Sequence, residues 1–447
     1  MHTNRKLTGN RATTPAWLLL PLILALPLGA RAQFTFTTNS GVLTITAYTG
    51  PGGAVVVPSS TNSHTVVSIG NNAFQDAATV TSITLPTSIT NIGQYAFWSC
   101  SGLTTFTLPT TVTNLATGLF EGCTHLQSLT IRTNTTSVGD FFCYGCTSLA
   151  NLTLPNTLRS IGNNAFDQCS ALTAAALPTN LLNLATYAFR GCTKLANVTV
   201  PGPTTNVGSY AFYGCTALTG ATIGKAVTSI GDRVFWGCTS LTAITVDINN
   251  TAYSSLGGVL FNKSQTQLVE YPPGLAGSYT VPGNVTTIDT NAFNACLGLT
   301  SITLSNKVTN LKDGAFGSCS NLTALYFQGN APALGANVFF GDPLAIAYYQ
   351  PNTTGWGTTY GGIPARLFGS SPLRIVTDDG NFGVRTNRFG FDILWVSNET
   401  VVVEARTNPA HGTWVPLKTN TFTSNTLYFS DATWTSYPNR VYRVRTP

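Results

Sequence analysis

The most reactive side chains of this chain are its thiols. Nine of the ten cysteines form one file: Cys100, Cys123, Cys146, Cys169, Cys192, Cys215 and Cys238 at intervals of 23 residues, then Cys296 and Cys319. Thiols could pair as disulfides, and Cys143-Tyr144-Gly145-Cys146 has the spacing of a redox C-x-x-C pair. A strict period points elsewhere. Residues one period apart in stacked coils lie about 5 Å from each other, within the reach of a disulfide, yet free cysteine also packs as a small hydrophobe. A cysteine file running through a repeating coil therefore reads as a reduced packing ladder. The C-x-x-C lacks the βαβ setting of a redox motif. Cys146 belongs to the file, and Cys143 stands where neighbouring periods hold Phe.

Other catalytic groups do not converge. His64, His125 and His411 lie in three separate regions, and no H-E-x-x-H, G-x-S-x-G or phosphate-binding glycine loop is present. Acidic residues are scattered singly. The run Thr377-Asp378-Asp379-Gly380-Asn381 reads as a tight hairpin turn rather than a calcium loop. We expect no enzyme, no cofactor and no metal site, a glycosidase pair drawn from distant coils being the arrangement left open.

Binding chemistry is better represented. Tyr95 with Trp98, Phe141 with Tyr144, and Tyr210 with Tyr213 are spaced three apart, and Tyr187 with Arg190 and Arg233 with Trp236 extend the series. Aromatic and Arg side chains on one face are typical of interaction hot spots and can stack on sugars. They can equally pack coil against coil. A second file, Thr84, Thr107, Thr130, Thr153, Thr199, Thr222, Thr245 and Thr303, lies within the strand segments. β-Propensity and cross-strand contacts account for such a file, and a flat Thr array is also a surface that could bind or order water.

The element that positions these residues is a 23-residue coil. Phe recurs at Phe74, Phe97, Phe120, Phe166, Phe189, Phe212 and Phe235, then at Phe293, Phe316 and Phe339. A fixed period in this range means stacked repeats, each burying its apolar side against the next. Six residues after the Phe comes a Leu file (Leu103, Leu126, Leu149, Leu172, Leu195, Leu218, Leu241, Leu299, Leu322), followed by a short alternating segment that reads as a half-buried strand. Pro86, Pro109, Pro155, Pro178 and Pro201 end these strands, because Pro has no N–H for a ladder. The Ala-Phe-x-x-Cys stretch suits a short helical or 3₁₀ turn. Ala175 and Ala176 thin one strand.

The I-G-x-x-A-F-x-x-C-x-x-L pattern with its L-x-x-L-x-L strand, as in Ile92 to Leu108, resembles the BspA-type leucine-rich repeat family over roughly residues 34 to 367. The resemblance implies a repeat solenoid with a strand and a short helical or 3₁₀ turn per coil. It places the Thr file on the concave side, where such repeats often bind partners, and it implies adhesion, because some members attach to host matrix proteins. We expect an N-terminal β cap over 33–69, the repeat array over 70–327 with an irregular hairpin coil at about 247–277, and a C-terminal cap over 328–367.

Residues 1–32 read as a secretory signal. Arg5, Lys6 and Arg11 precede an apolar run from Trp17 to Leu28, and Ala30-Arg31-Ala32 fits the cleavage rule. The run is short and broken by Pro21 and Pro27, so no stable transmembrane segment is expected after cleavage. This segment holds four of the 22 basic residues, which leaves 18 against 16 acidic ones. A nucleic-acid binder would carry a basic stripe, and none is visible. From about Pro372 the beat gives way to longer alternating strands over 373–376, 391–396, 400–405, 414–417, 426–429 and 440–445. These read as a small β-sandwich-like domain over 372–447, similar to fibronectin-like C-terminal modules of secreted bacterial proteins.

The whole reads as a non-catalytic secreted or cell-surface scaffold that binds an extracellular protein or glycan. The competing reading is a structural spacer whose C-terminal module serves sorting or anchoring.

Overall fold

The computed structural model describes residues 33–132, 134–368, 374–376, 382–385, 388–394, 400–407, 412–421, 426–437 and 439–445. The expected signal segment and the expected turn at 377–381 lie outside the described residues, as does His411.

Residues 33–368 form a succession of coils, most of them stacked in parallel with a register of one repeat. Strands of the array pair with their equivalents 23 residues away, as in Leu129 with Leu152, Val198 with Ala221 and Ala221 with Ile244. Inward residues such as Phe106, Leu129, Ile244 and Ile302 are buried, while Thr107, Thr130 and Thr153 on the other side of the pleat face out. The alternation is the period-2 pattern of a one-sided sheet.

A second strand appears that the sequence reading did not anticipate. Two-residue segments just ahead of the glycine file, such as Ser137–Val138, Ser160–Ile161, Asn183–Leu184, Asn206–Val207 and Ser229–Ile230, form their own parallel ladder. Where a glycine follows, the preceding coil lies close against it. A Cβ on Gly208 would lie 2.5 Å from backbone atoms of Ala185 and Thr186 in the preceding coil.

The helical or 3₁₀ turn expected around each Phe does not form, and its hydrogen bonds show why. Trp98 N–H donates to Tyr95 O (3.0 Å) and Cys100 N–H to Phe97 O (3.2 Å), as a 3₁₀ turn would have it. Between them, Phe97 N–H donates to Leu119 O (3.1 Å) and Ser99 N–H to Glu121 O (2.7 Å), both in the next coil. Alternate amides thus leave the coil. Tyr95 and Ser99 reach this arrangement at φ of 57° and 54°, left-handed values that no right-handed helix contains. The corner is a pair of turns stitched to its neighbour. Among the described residues the one helical segment is the 3₁₀ turn Trp434–Ser436.

The core is a column of rings. Phe166, Phe189, Phe212 and Phe235 are fully buried and stack with centroids 5.2, 5.8 and 5.8 Å apart. Each such side chain is worth about 2–3 kcal/mol of burial. One coil reverses the usual Ala-Phe order. Cys143 takes the backbone place of the Phe, and Phe142, in the Ala place, carries the ring column by contacting Phe120 (5.4 Å) and Phe166 (6.2 Å). All ten cysteines are free and buried. The file donates its S–H groups to the Phe carbonyl one coil back: Cys123 to Phe97 O at 3.2 Å, Cys146 to Phe120 O at 3.1 Å, Cys319 to Phe293 O at 2.9 Å. Burial pushes the Cys100 and Cys215 thiols up to about 12 and raises those of Cys123, Cys169, Cys192, Cys238, Cys296 and Cys319 as well.

The array has three irregularities. Residues 173–177, with Ala174, Ala175 and Ala176, form no strand, which splits the main sheet between Asn151–Thr153 and Asn197–Thr199. The segment at about 247–277 is an antiparallel meander of Tyr253–Leu256, Val259–Asn262 and Gln267–Glu270, and its last strand rejoins the parallel ladder at Thr287–Ile288. At the end of the cysteine file stands Asp342, 4% exposed. Tyr48 stacks on Phe74 (5.1 Å) at the N-terminal end of the ring column, and Tyr360 meets Phe339 (6.0 Å) at the other.

The described part of the C-terminal region holds two antiparallel sheets. One contains Arg374–Val376, Gly383–Arg385, Arg388–Leu394 and Thr426–Asp431; the other contains Val415–Thr421, Thr400–Arg406 and Val441–Arg445. Phe391, Ile393 and Phe429 of the first pack with Val401 and Val403 of the second.

Candidate functional site

Two files of side chains flank the buried Phe column, one two residues before it and one just after. They emerge on the same face because the stitched corner turns the Phe inward and its neighbours outward. The first file reads Asn72, Tyr95, Gly118, Phe141, Asn164, Tyr187, Tyr210, Arg233, Asn291, Gly314, Asn337, and every member has a left-handed φ between 50° and 63°. Gly and Asn are the residues suited to that region. Tyr, Phe and Arg are not. The aromatic series of the sequence thus occupies backbone positions where a bulky side chain costs about 1 kcal/mol or more.

The structure divides the ten expected residues into two groups. Tyr187, Arg190, Tyr210, Tyr213, Arg233 and Trp236 form one continuous packed ladder. Tyr187 stacks on Tyr210 (4.9 Å, 19°), Tyr210 meets Tyr213 (6.0 Å) and Tyr213 meets Trp236 (4.9 Å). Arg190 lies over the Tyr187 ring (4.9 Å) and Arg233 over Trp236 (5.5 Å). Arg190 also forms a two-pronged ion pair with the fully buried Asp167 at 2.9 and 2.7 Å, to which Asn164 donates at 2.8 Å. Arg233 donates to Tyr210 Oη (2.9 Å) and across the meander to Asn291 Oδ1 (3.1 Å). These side chains spend their faces on one another.

Tyr95, Trp98, Phe141 and Tyr144 are arranged differently. The coil between the two aromatic pairs places Gly118 and Glu121 in the two files, so the walls stand two coils, or about 10 Å, apart. Tyr95, Trp98 and Phe141, with Asn72, Gln75 and Glu121, line an open groove of about 440 Å³. The Tyr95 ring lies across Gly118, where an added Cβ would come within 2.2 Å of two ring carbons. Phe141 is 37% exposed. Tyr144 lies beside it (6.0 Å) and accepts a hydrogen bond from Gln168 at 3.0 Å. Glu121 is half-buried among these rings, and burial pushes its carboxyl above the usual value. Glu121 and Gly118 escaped the sequence reading, which followed aromatic residues only. Their signal was position: they continue the same two files.

The Thr file is aligned in register across Thr107, Thr130 and Thr153, and again across Thr199, Thr222 and Thr245, with Thr222 and Thr245 hydroxyls 3.1 Å apart. The strandless coil at 173–177 interrupts it with a hollow of about 410 Å³ lined by small side chains. Towards the C-terminal end the same file continues from Thr303 to Tyr326, Tyr348 and Arg366, a change of chemistry that the sequence reading missed. His125 donates to Ser101 O in the preceding coil and His64 to Asn62 O in its own turn, each at 2.7 Å, so both serve backbone structure.

Residues 57–173, 160–277 and 276–359 match the profile of the BspA type leucine rich repeat region, in six copies. No curated protein matches the chain. Among solved structures, a leucine-rich repeat protein from Bacteroides ovatus is 24% identical, covering 71% of this chain and 94% of that one with a TM-score of 0.46. A leucine rich cell surface protein from Faecalibacterium prausnitzii is 20% identical over 76% of this chain and 94% of its own, with a TM-score of 0.43. The pneumococcal vaccine antigen PcpA is 18% identical over 75% and 84%, with a TM-score of 0.39. On the strength of the repeat profile, which spans more than half its length, the chain belongs to the BspA-type leucine-rich repeat family.

Proposed function

We propose that this protein is a non-catalytic binding scaffold, secreted or displayed at the cell surface, that engages an extracellular protein or glycan through the aromatic face of its solenoid. The observation that carries the reading is the placement of Tyr95 and Phe141 at left-handed backbone positions where other coils use Asn or Gly. The strain at Tyr187 and Tyr210 is offset by their mutual stacking. Tyr95 and Phe141 make no ring contact with each other or with Trp98 among the described residues, and they open onto a groove. Strain that no stacking between adjacent coils offsets, at residues lining a groove, is a mark of function. The family supports the same reading, since repeat solenoids work by presenting a surface. No described helix is long and apolar enough to cross a membrane.

The packed ladder from Tyr187 to Trp236 favours a second reading, a spacer whose coils are locked by aromatic contacts, with residues 372–447 as a sorting or anchoring module. Two changes separate the readings. Replacing Tyr95, Trp98 and Phe141 by Asn, Gln and Asn, the residues that Asn72, Gln75 and Asn164 place in the same files, abolishes attachment to the target surface in the binding reading while circular dichroism stays unchanged. In the spacer reading attachment survives those changes, and surface display is lost on deleting 372–447.

A further inference from the structure

We infer that the groove between Tyr95, Trp98 and Phe141 is a cation site, built for an alkylammonium group: the side chain of a lysine on a protein partner or a quaternary ammonium of a small solute. The inference deepens the binding reading above and rests on it. Every electrostatic feature of the groove has the same sign. Three aromatic side chains line it, and aromatic rings, whose faces carry negative quadrupoles, are the chemistry of cages that hold ammonium ions. The floor is Glu121, whose carboxylate makes no hydrogen bond or ion pair with another side chain among the described residues. Gln75, another lining residue, donates to Asp76 at 3.1 Å. No lining residue is basic.

The surroundings agree. Residues 33–131 contain Asp76 and Glu121 as their only acidic residues and no Lys or Arg at all, so nothing nearby neutralises the groove. Arg132, the first basic residue after them, lines a different hollow beside Ser82, Thr105 and Thr107 on the strand face. Along the aromatic face the contrast is internal to the molecule. In the second group Arg190 and Arg233 already cover Tyr187 and Trp236, and Arg190 pairs with Asp167. The first group has the same components, rings and a carboxylate, without the cation. A partly desolvated carboxylate ringed by aromatic side chains is completed by a positive charge; a neutral sugar would leave it unpaired. That the Glu121 carboxyl is pushed upward by burial is consistent with an anion short of partners.

The test is calorimetric titration of the full secreted chain, residues 33–447, with tetramethylammonium, with a lysine-rich peptide, and with neopentyl alcohol as the uncharged counterpart. The proposal expects at least one of the two cations to bind and the alcohol to bind at least tenfold more weakly. Glu121→Gln should weaken the cation by about tenfold, as expected for loss of a charge-assisted contact, and leave the alcohol unchanged. Tetramethylammonium binding alone identifies a small quaternary solute as the source; peptide binding alone identifies a protein lysine. Equal binding of cation and alcohol, or insensitivity of the cation to Glu121→Gln, overturns the proposal. So does the absence of cation binding, including the case in which a neutral glycan binds in its place. The broader reading stands or falls separately: if neither cation binds yet surface attachment still requires Tyr95, Trp98 and Phe141, only the cation assignment fails.

Discussion

Asp342 offers a sharp energetic test of how the coils are held. It occupies the place of the next cysteine after Cys319, 4% exposed, and neither carboxylate oxygen has a hydrogen-bond partner. Cys319 shows what the site is shaped for, donating its S–H to Phe293 O one coil back at 2.9 Å. By the same geometry a protonated Asp342 can donate, whereas an ionised one is a buried anion. Burial raises its pKa from 3.8 to about 7. The unfolded chain binds this proton only below about pH 4. The folded chain keeps it to about pH 7, so stability is greatest in acid and is lost as pH rises through the folded value. At about 1.4 kcal/mol per pKa unit the ceiling is about 4 kcal/mol. Relaxation of the last coils and water entry reduce this to about 2 kcal/mol. Asp342→Cys restores the file. At pH 5, about one pKa unit above the unfolded value, the variant should already lead by about a third of the full effect. At pH 8 the variant should be about 2 kcal/mol more stable in its terminal coils, equivalent to about thirtyfold slower amide exchange. The amides to follow are Phe316 and Ser318, which donate to Val338 O (2.9 Å) and Phe340 O (2.7 Å). Equal protection of variant and parent at both pH values, or a parent that gains protection between pH 5 and pH 8 relative to the variant, would refute the reasoning.

Four further outcomes are expected. Phe142→Ala should cost about 3–5 kcal/mol in denaturant unfolding, and adding Cys143→Phe should recover most of it; no recovery would mean that the Ala and Phe places are not exchangeable. Arg190→Ala, which leaves the fully buried Asp167 without its cation, should cost about 3 kcal/mol, and the double change with Asp167→Ala should cost less than the two single losses together. Gly118→Ala forces a Cβ into the Tyr95 ring at a φ of 63°, so it should lose about 1 kcal/mol or more and alter the near-ultraviolet dichroism of the groove. The folded protein should show no thiol reactive towards an aromatic disulfide reagent at pH 8, and all ten should react in denaturant; rapid modification of the native chain would contradict a buried file.

The solenoid was legible because its signal repeats. The Phe, Cys and Leu files fall on fully buried positions such as Phe97, Cys100 and Leu103. The corner was misread, because apolar residues three apart are common to a 3₁₀ turn and to a turn whose alternate amides reach the next coil. Periodicity reports which side chains point inward, and it is silent on where each N–H goes. The two-residue strands ahead of the glycines were too short to show alternation. At the candidate site the aromatic residues were visible by type, but their division into a packed ladder and an open groove depends on what lies between them. Gly118 and Glu121 open the gap, whereas Arg190 and Tyr213 close it, and the distinction emerges only when the two files are read as whole columns. Left-handed backbone at Tyr95 and Phe141 could have been inferred from Asn72, Gly118, Asn164, Asn291, Gly314 and Asn337 at the same phase.

The central claim is that the aromatic groove binds. A glycan and extracellular-matrix array probed with the secreted chain, beside the same chain carrying Tyr95→Asn, Trp98→Gln and Phe141→Asn, tests it most directly. The account predicts a specific hit that disappears in the triple variant and persists when residues 372–447 are deleted. A hit that the triple variant retains in full, or one that vanishes only with the C-terminal deletion, would contradict it.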